Sequence, residues 1–187
     1  MESSKYNYKS GSLFLLANFF KDNLRTLYWV EKHSLKILSK FQKLATTKYL
    51  KAGFKGHYDA TIIHITRLEK IFSLLNQKAL FKECFVIGDI FKESKLILTH
   101  TEKKSLIREV ELLNTVQKIE QYEIINYSRL IRIAKALGEI DIAIILNETL
   151  LEENEAEETF DAIKDDTFND ILFKTIETDY EQSEAAE

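Results

Sequence analysis

Glutamate and histidine side chains interrupt the apolar faces of several segments in this 187-residue chain. In one helical pattern without glycine or proline, Glu120 falls in the middle of the apolar stripe and Glu123 lies one turn further on, at its edge. A carboxylate buried there is costly unless it meets a cation, a proton or a metal ion. Three other segments carry the same kind of interruption near mid-length, at Glu31, at His57 with His64, and at Glu153.

Together these residues predict a metal site. Taken singly, a core histidine is more often hydrogen-bonded inside the protein, and an inward glutamate more often pairs with Lys or Arg. Four aligned interruptions favour one shared interior, where several carboxylates repel one another unless a positive charge is present. Oxygen-rich sites with some imidazole suit iron and manganese. The predicted cofactor is therefore iron, as a single ion or a di-iron pair, or manganese. The predicted ligands are Glu31, His57, His64, Glu120, Glu123 and Glu153.

Long amphipathic helices are expected to hold these side chains, because apolar residues recur at three- and four-residue spacing. A short crossover helix at 85–98 is predicted after a connection at 77–83, and Gly138 is predicted to end a helix in the left-handed conformation. The chain is expected to be all-α, and this layout is that of a ferritin-like four-helix bundle. The four long helices are predicted at 13–44, 48–76, 105–137 and 139–164.

Three parts of the chain are expected from these patterns. The predicted parts are a polar lead at 1–12, the bundle at 13–164, and a short C-terminal helix with an acidic tail at 165–187.

Composition excludes several other classes of protein. Proline is absent and glycine occurs five times, which disfavours turn-rich β architectures. The net charge of −4 is small, so no nucleic-acid partner is expected. The sequence contains no apolar run long enough to span a membrane, and its first residues lack the apolar core of a secretory signal. The single cysteine, Cys84, is consistent with a reducing compartment. We expect a cytoplasmic protein that does not associate with membranes.

Four motifs resemble those of the YciE/YciF family of ferritin-like stress proteins. The match covers residues 13–163, and it keeps the order and the approximate spacing of all four motifs. The third motif is close to the family's string Gln-Lys-Val-Glu-His-Tyr-Glu-Ile. The motifs are Leu27–Lys32 (LYWVEK), His57–Glu69 with His57, Thr61, His64 and Arg67, Gln117–Ile124 (QKIEQYEI) and Glu148–Glu153 (ETLLEE).

The resemblance implies a homodimeric bundle of the rubrerythrin and ferritin type, with a non-haem iron pair and a link to bacterial stress responses. His57 matches the family's second-helix histidine, and His64 falls where the family carries Gln or His. The chain departs from the family at Ala60, where members carry glutamate, so the resemblance alone does not assure a fully occupied two-metal site. Asp59 is adjacent but is expected to face solvent. The acids that match the family pattern are Glu31, Glu120, Glu123 and Glu153.

Three functions remain open at this stage. The first is an iron or manganese protein whose carboxylate-rich site reacts with dioxygen or peroxide. The second is a structural or interaction bundle with a degenerate, metal-free site. The third, a hollow iron-storage cage, is disfavoured by the polar lead and the acidic tail, and a homodimer with Trp29 or Phe19 at the edge of its interface is expected instead. The motifs specify no substrate, so the sequence leaves open whether the protein is an enzyme.

Overall fold

The computed structural model describes residues 11–184, with side-chain surroundings for residues 11–166, and the described residues form five α-helices. The all-α prediction is confirmed. Residues 1–10 of the predicted polar lead and 185–187 of the predicted tail lie outside the described residues. None of the described helices is long and apolar enough to cross a membrane. The helices are α1 (Ser12–Leu44), α2 (Lys48–Leu74), α3 (Phe85–His100), α4 (Leu106–Ala136) and α5 (Ile140–Glu184).

Local chemistry sets the ends of the bundle helices. The Ser105 side chain caps the N-terminus of α4 by accepting a hydrogen bond from the Arg108 backbone N–H. Gly138 has a φ of 78°, and the backbone N–H groups of Gly138 and Glu139 donate to carbonyls in the last turn of α4 at 3.1 and 2.9 Å. This is the predicted left-handed helix end. Asn76, with a φ of 52°, ends α2 in the same way.

The four long helices pack in a ring, with α1 beside α2, α2 beside α5, α5 beside α4 and α4 beside α1. Helix α3 is the crossover and packs on α1 and α4. Two apolar clusters fill the interior, and the polar residues singled out in the sequence fall between them along each long helix. One cluster includes Leu24, Phe72, Leu130 and Leu146, and the other includes Phe41, Phe54, Leu113 and Phe160.

The C-terminal part of the chain differs from the prediction. The sequence predicts a separate short helix within 165–187, but α5 runs without a break from Ile140 to Glu184. Neither glycine nor proline follows Gly138 in the sequence, so nothing interrupts the helical backbone. The Asp-rich stretch at 165–166 is polar, but aspartate costs a helix far less than proline does.

Trp29 does not lie at an exposed edge, which corrects the expectation that it contributes to a dimer interface. Its side chain is buried against the crossover helix, where its ring centroid is 5.5 Å from that of Phe91 and it clusters with Ile87. The indole is therefore already covered within one chain. Phe19, the other expected edge residue, is 49% exposed.

Candidate metal centre

All six predicted ligands meet in the middle of the bundle. They form two overlapping groups in which the candidate ligand atoms lie within 4.8 Å of one another. The His57 group contains His57, Glu120, Glu123 and Glu153, and the His64 group contains Glu31, His64 and Glu153. Every member is at least nine-tenths buried. Because Glu153 belongs to both groups, it is the geometric link between them.

Helical spacing explains how four separate segments supply one site. His57 and His64 are seven residues apart, which is two turns, so α2 presents both rings on the face that meets the interior. Glu120 and Glu123 are one turn apart on α4. Helices α1 and α5 each contribute one carboxylate, from Glu31 and Glu153.

In the His57 group the imidazole contacts two carboxylates. The Nε2 atom of His57 lies 2.8 Å from Oε1 of Glu120 and 3.8 Å from Oε2 of Glu153. The Ser34 hydroxyl on α1 donates to Oε1 of Glu123 at 3.2 Å. The other ring nitrogen of His57, Nδ1, is buried and has no hydrogen-bond partner among the described residues.

In the His64 group both ring nitrogens have close neighbours. Nδ1 of His64 lies 2.9 Å from Oε1 of Glu153 and 3.6 Å from Oε1 of Glu31. On the opposite side of the ring, Nε2 lies 2.9 Å from Oε2 of Glu152, and Arg67 donates to both oxygens of Glu152 at 2.7 Å. An ionised carboxylate only accepts hydrogen bonds, so Nε2 carries the hydrogen and donates it. This leaves Nδ1 facing the carboxylates of the site.

Glu31 of α1 is held in place by a side chain of α4. The Tyr127 hydroxyl on α4 donates to Oε1 of Glu31 at 2.5 Å, and the phenol is fully buried. Hydrogen bonds of this kind, from outside the ligand set, fix the orientation of metal-binding carboxylates and imidazoles. Tyr127 and the Arg67–Glu152 pair therefore both support the His64 group.

The chemistry of the donor atoms fits iron or manganese. Buried polar atoms in proteins nearly always have a hydrogen-bond partner, so a concentration of unpaired ones points to a cation. Four carboxylates and two imidazoles are also the donor set of ferritin-like di-iron and di-manganese sites, although here both imidazoles come from α2. The buried atoms without a hydrogen-bond partner in the described residues include Nδ1 of His57, Oε2 of Glu120 and Glu123, and Oε2 of Glu153. Nδ1 of His64 and Oε1 of Glu153 also lack hydrogen-bond geometry, but they lie 2.9 Å apart as an ion-pair contact.

Burial and mutual repulsion change the protonation of these groups when no metal is bound. Burial raises the pKa of Glu120 and of Glu153 to about 8, and a neighbouring carboxylate adds to the rise in each case. Burial also raises the pKa of Glu123 well above its usual value. Without a metal ion, protons must therefore supply part of the positive charge that this interior needs.

The pKa values of the two histidines shift in opposite directions. Burial lowers the pKa of His57 below its usual value. Burial also opposes protonation of His64, but the charges of Glu31 and Glu153 outweigh it and raise the pKa of His64 to about 11. His64 is therefore an imidazolium in the metal-free chain, whereas His57 is neutral near pH 7.

Sequence comparison places this constellation in a known family. A family model described as "Domain of unknown function (DUF892)" matches residues 16–172. The chain belongs to the DUF892 family. Protein YciF of Escherichia coli (strain K12) is 30% identical to this DUF892 chain over 131 residues, which are 70% of this chain and 78% of YciF. The predicted resemblance to the YciE/YciF family is thereby confirmed.

Solved structures confirm the ferritin-like fold of this DUF892 chain. The crystal structure of the E. coli stress protein YciF superposes with a TM-score of 0.77 at 26% identity, covering 82% of this chain and 97% of YciF. YcfI from Rhodopseudomonas palustris gives a TM-score of 0.73 at 27% identity, covering 83% and 97%. A dodecameric thioferritin from Bacteroides fragilis, at 15% identity, shares the fold alone, with a TM-score of 0.61 and coverage of 88% and 96%.

The position that departs from the family motif lies outside both ligand groups of this DUF892 chain. Ala60 is half-buried on α2, and the neighbouring Asp59 is exposed and pairs with Lys55, as expected. Glu120 and Glu123 match acids that the family also carries, so they do not replace the carboxylate missing at Ala60, and this chain has one acid fewer than the family motifs.

Sequence reasoning missed the residues that support the ligands. Arg67 lies one turn after His64, and Glu152 directly precedes Glu153, so their positions in the family motifs were a usable signal. Tyr127 lies one turn after Glu123 on the buried face of α4, but a tyrosine there also suits an ordinary core. Its contact with Glu31 depends on the distance between α1 and α4, which no local pattern encodes.

Proposed function

We propose that the protein binds one or two ions of iron or manganese between its four long helices and reacts there with dioxygen or peroxide. The observation that carries the proposal is the convergence of buried nitrogen and oxygen atoms that lack hydrogen-bond partners among the described residues. A bound metal supplies Lewis acidity and coordination positions open to a small oxidant. The proposed ligands are Glu31, His57, His64, Glu120, Glu123 and Glu153.

The proposed ligands would form two metal-binding positions. The His57 group would hold one ion and the His64 group the other, with Glu153 contributing an oxygen to each. The Arg67–Glu152 pair keeps Nε2 of His64 protonated, so that Nδ1 is the nitrogen available to a metal. The apolar clusters on either side limit the access of water.

The first experiment is metal analysis of the protein after expression in medium supplemented with iron. We expect about one to two equivalents of iron or manganese per chain, and less than about a tenth of an equivalent would contradict the proposal. The variant Glu153→Gln should lose the metal. Glu158→Gln is the matched control, because Glu158 is an exposed acid on the same helix.

The reaction is tested on protein loaded with Fe²⁺ under anaerobic conditions and then mixed with dioxygen or hydrogen peroxide. We expect the absorbance of ferric iron to rise faster with the wild type and with Glu158→Gln than with Glu153→Gln. Equal rates in all three proteins would show that the iron is oxidised in solution instead of at this site.

We also propose that the protein acts as a cytoplasmic homodimer in a bacterial stress response. The relative YciF is named a stress protein. Exposed apolar residues on the first two helices support a dimer surface there, namely Leu15, Phe19, Ile62 and Ile63. Light scattering coupled to size-exclusion chromatography should give twice the chain mass of 21.8 kDa. A mass near that of a hollow cage would overturn the dimer.

A second candidate function is a structural or interaction bundle without a metal. It is favoured by the two close imidazole–carboxylate contacts, 2.8 Å between His57 and Glu120 and 2.9 Å between His64 and Glu153, which can neutralise the site from within. YcfI is also described as a proposed structural protein. In this case the carboxylates would be a residual cost to stability.

Thermal unfolding separates the two functions, because a ligand that binds the folded state raises the midpoint. The structural function predicts that a chelator leaves the midpoint unchanged and that Glu120→Ala raises it. The metal function predicts a lower midpoint with the chelator. Glu109→Ala is the control, because Glu109 is another buried acid of α4. It accepts hydrogen bonds from the backbone N–H groups of Thr46 and Thr47, so its loss should lower the midpoint in either case.

A further inference from the structure

Two buried tyrosines, Tyr127 and Tyr28, lie close to Glu31, the carboxylate that α1 contributes to the His64 group. Tyr127 of α4 is fully buried and donates a hydrogen bond to Oε1 of Glu31 at 2.5 Å. Tyr28 lies one helical turn before Glu31 on α1, and its side chain is buried as well. Both rings belong to the same apolar cluster of the core. The two phenols are therefore neighbours of one proposed ligand.

The hydroxyl of Tyr28 is linked to the protein surface through a second glutamate. It donates a hydrogen bond of 2.7 Å to Oε1 of Glu69 on α2, which is 45% exposed, and Lys32 contacts the same oxygen at 3.2 Å. The hydrogen bond from Tyr28, together with Lys32, lowers the pKa of Glu69, so this side chain is ionised near pH 7. The ring of Tyr28 also stacks on the exposed ring of Phe81, with the centroids 5.1 Å apart. Tyr28 thus connects the interior with exposed groups.

The pairing of a buried tyrosine with a glutamate occurs twice, and both pairs suit the oxidation of a phenol. A phenol that loses an electron becomes a strong acid, so its oxidation is favoured where a base within hydrogen-bond distance takes the proton. Tyr127 has Glu31 in that position, and Tyr28 has Glu69. Tyr122 lacks this arrangement, because its hydroxyl lies beside a thiol. The two pairs therefore differ from an ordinary buried tyrosine.

The reduction of peroxide creates a need for electrons that these tyrosines can meet. One molecule of H₂O₂ takes up two electrons and two protons when it becomes two molecules of water. A single Fe²⁺ ion supplies one electron as it becomes Fe³⁺, so the second has to come from elsewhere. Among the described residues, Tyr127 is the oxidisable side chain that is hydrogen-bonded to a proposed ligand. Its radical would lie in the core and would need a route to a reductant in solution.

We propose that Tyr127 and Tyr28 form an electron relay, through which a reductant in solution supplies the second electron for the reduction of peroxide. Tyr127 gives its electron to the centre and its proton to Glu31. Tyr28 then reduces the Tyr127 radical and passes its own proton to Glu69, while Glu31 returns the first proton to Tyr127. The relay ends at the surface beside Glu69 and Phe81, where the reductant does not have to enter the bundle.

The complete reaction balances in atoms and in charge. With a one-electron donor D, which reduces the Tyr28 radical as Glu69 returns the proton, the sum is Fe²⁺ + H₂O₂ + D + 2 H⁺ → Fe³⁺ + D•⁺ + 2 H₂O. The relay rests on the proposed function for its oxidant, because peroxide reacts at the metal centre. The path between the two tyrosines does not depend on the metal, so it can be tested separately.

The first test uses protein loaded anaerobically with one equivalent of Fe²⁺ and mixed with one equivalent of hydrogen peroxide. EPR spectra of samples frozen during the reaction should show a tyrosyl radical. The dye ABTS is too large to enter the bundle, and it should remove that signal and give close to one ABTS radical cation per Fe²⁺ oxidised. Tyr122→Phe is the matched control and should behave as the wild type does, because its hydroxyl pairs with Cys84.

The two relay variants should fail in different ways, although both keep the aromatic ring. Tyr127→Phe should show no tyrosyl radical. Tyr28→Phe should keep its iron content and form the Tyr127 radical, but ABTS should no longer remove that signal, and the yield of ABTS radical cation should fall below about a tenth of that of the wild type. A purely structural role of either hydroxyl would not produce this difference.

Glu69→Gln tests the proton acceptor at the surface end of the relay. Glutamine can still accept the hydrogen bond from Tyr28, but it is not a base, so ABTS oxidation should slow by about tenfold or more. Iron content should be unchanged, because Glu69 belongs to neither ligand group. Asp59→Asn is the matched control, since Asp59 is another exposed acid of α2 and pairs with Lys55.

Metal-free protein tests the path between the tyrosines. Flash photolysis of tris(bipyridine)ruthenium with persulfate produces a one-electron oxidant that is too large to enter the bundle. In the wild type and in Tyr122→Phe we expect a long-lived radical on Tyr127, because its ring is fully buried. This radical should be absent from Tyr127→Phe and also from Tyr28→Phe, in which the path to the surface is cut.

The outcomes separate the relay from the metal centre. If the bound iron is oxidised by peroxide but neither a tyrosyl radical nor oxidised ABTS is formed, the relay is overturned and the proposed function stands. Equal ABTS yields in the wild type and in Tyr28→Phe would also overturn the relay. If the chain takes up no iron but photo-oxidation of Tyr127 requires Tyr28, the proposed function fails and the path between the tyrosines stands.

Discussion

The two histidines of α2 approach the same carboxylates but differ in what holds them in place. Glu152 fixes the outer side of the His64 ring, and Arg67 in turn donates two hydrogen bonds of 2.7 Å to Glu152. His57 has no corresponding partner among the described residues. The His64 group is therefore oriented before any ligand arrives, whereas His57 is positioned by its contacts with Glu120 and the Phe160 ring.

The difference extends to the charges of the two groups. In the metal-free chain His64 is protonated, because its pKa is raised by Glu31 and Glu153 once the cost of burial is overcome, whereas burial lowers the pKa of His57. Metal binding at the His64 group must displace that proton, whereas His57 is neutral and ready to coordinate. The His64 position is thus better oriented, whereas the His57 position has to lose fewer protons before it can bind a metal ion.

The largest effect is expected from the residue that the two groups share. Glu153→Ala should lower metal affinity by more than about 100-fold at both positions, because it removes the proposed ligand that the two groups share. Competition with a chelator of known affinity measures the loss, and Glu158→Ala is the control. If one position keeps its affinity in Glu153→Ala, Glu153 is not shared and the two groups are independent.

A smaller and one-sided effect is expected from Glu152→Gln. It should weaken metal binding at the His64 group by about 10- to 100-fold and leave the His57 group unchanged, because only His64 relies on this carboxylate. Glu148→Gln is the matched control, since Glu148 also contacts Arg67, at 3.4 Å, but is itself largely exposed. Equal losses at both positions would contradict the distinction between the two groups.

The stability of the metal-free protein should fall as the pH rises from 6 to 8. The folded-state pKa values of Glu120 and Glu153, about 8, lie above the usual value of 4.5, so the native state binds more protons than the unfolded state in this range. We expect a loss on the order of 4 kcal/mol in the free energy of unfolding, about 2 kcal/mol from each of the two carboxyls, measured with urea.

Two further measurements check this pH dependence. Glu120→Gln should reduce the slope in the metal-free protein. Iron or manganese should stabilise the protein more at pH 8 than at pH 6, because the ligands must lose protons in order to bind it. A metal-free protein that becomes more stable over this range would contradict the raised pKa values.

The smallest effect is expected from Tyr127→Phe, which removes the hydrogen bond to Glu31 without removing a ligand. Stability should decrease by about 1 kcal/mol, and metal affinity at the His64 group should fall only a few-fold. Tyr122→Phe is the control, because that hydroxyl lies 3.3 Å from Cys84 and makes no hydrogen bond to either group among the described residues. A larger loss of metal affinity in Tyr122→Phe than in Tyr127→Phe would contradict the role given to Tyr127.

The sequence predicted which acidic and histidine side chains meet inside the bundle, because the information needed for this is local. A helix repeats every 3.6 residues, so Glu120 and His64 could be placed on inward faces from spacing alone. The partners of His64 and Glu31 could not be placed in this way, because those contacts depend on how far α2 lies from α5 and α1 from α4. Trp29 was misplaced for the same reason, since its cover comes from the crossover helix.

The length of α5 shows another limit of local patterns. The Asp-rich stretch after Lys164 is as polar as the segments that often separate helices. A helix usually ends at a glycine or before a proline, however, and neither is present there. At the end of α4, by contrast, Gly138 made the boundary predictable.

Anomalous diffraction at the iron edge, from crystals of protein loaded with Fe²⁺, tests the central claim most directly. We expect one or two peaks in the middle of the bundle, and two peaks should lie about 3.5 to 4 Å apart, as in two-metal sites generally. One should lie beside His57 and the other beside Nδ1 of His64, with the Glu153 carboxylate between them. Crystals whose anomalous peaks all lie outside the ring of four helices would contradict it.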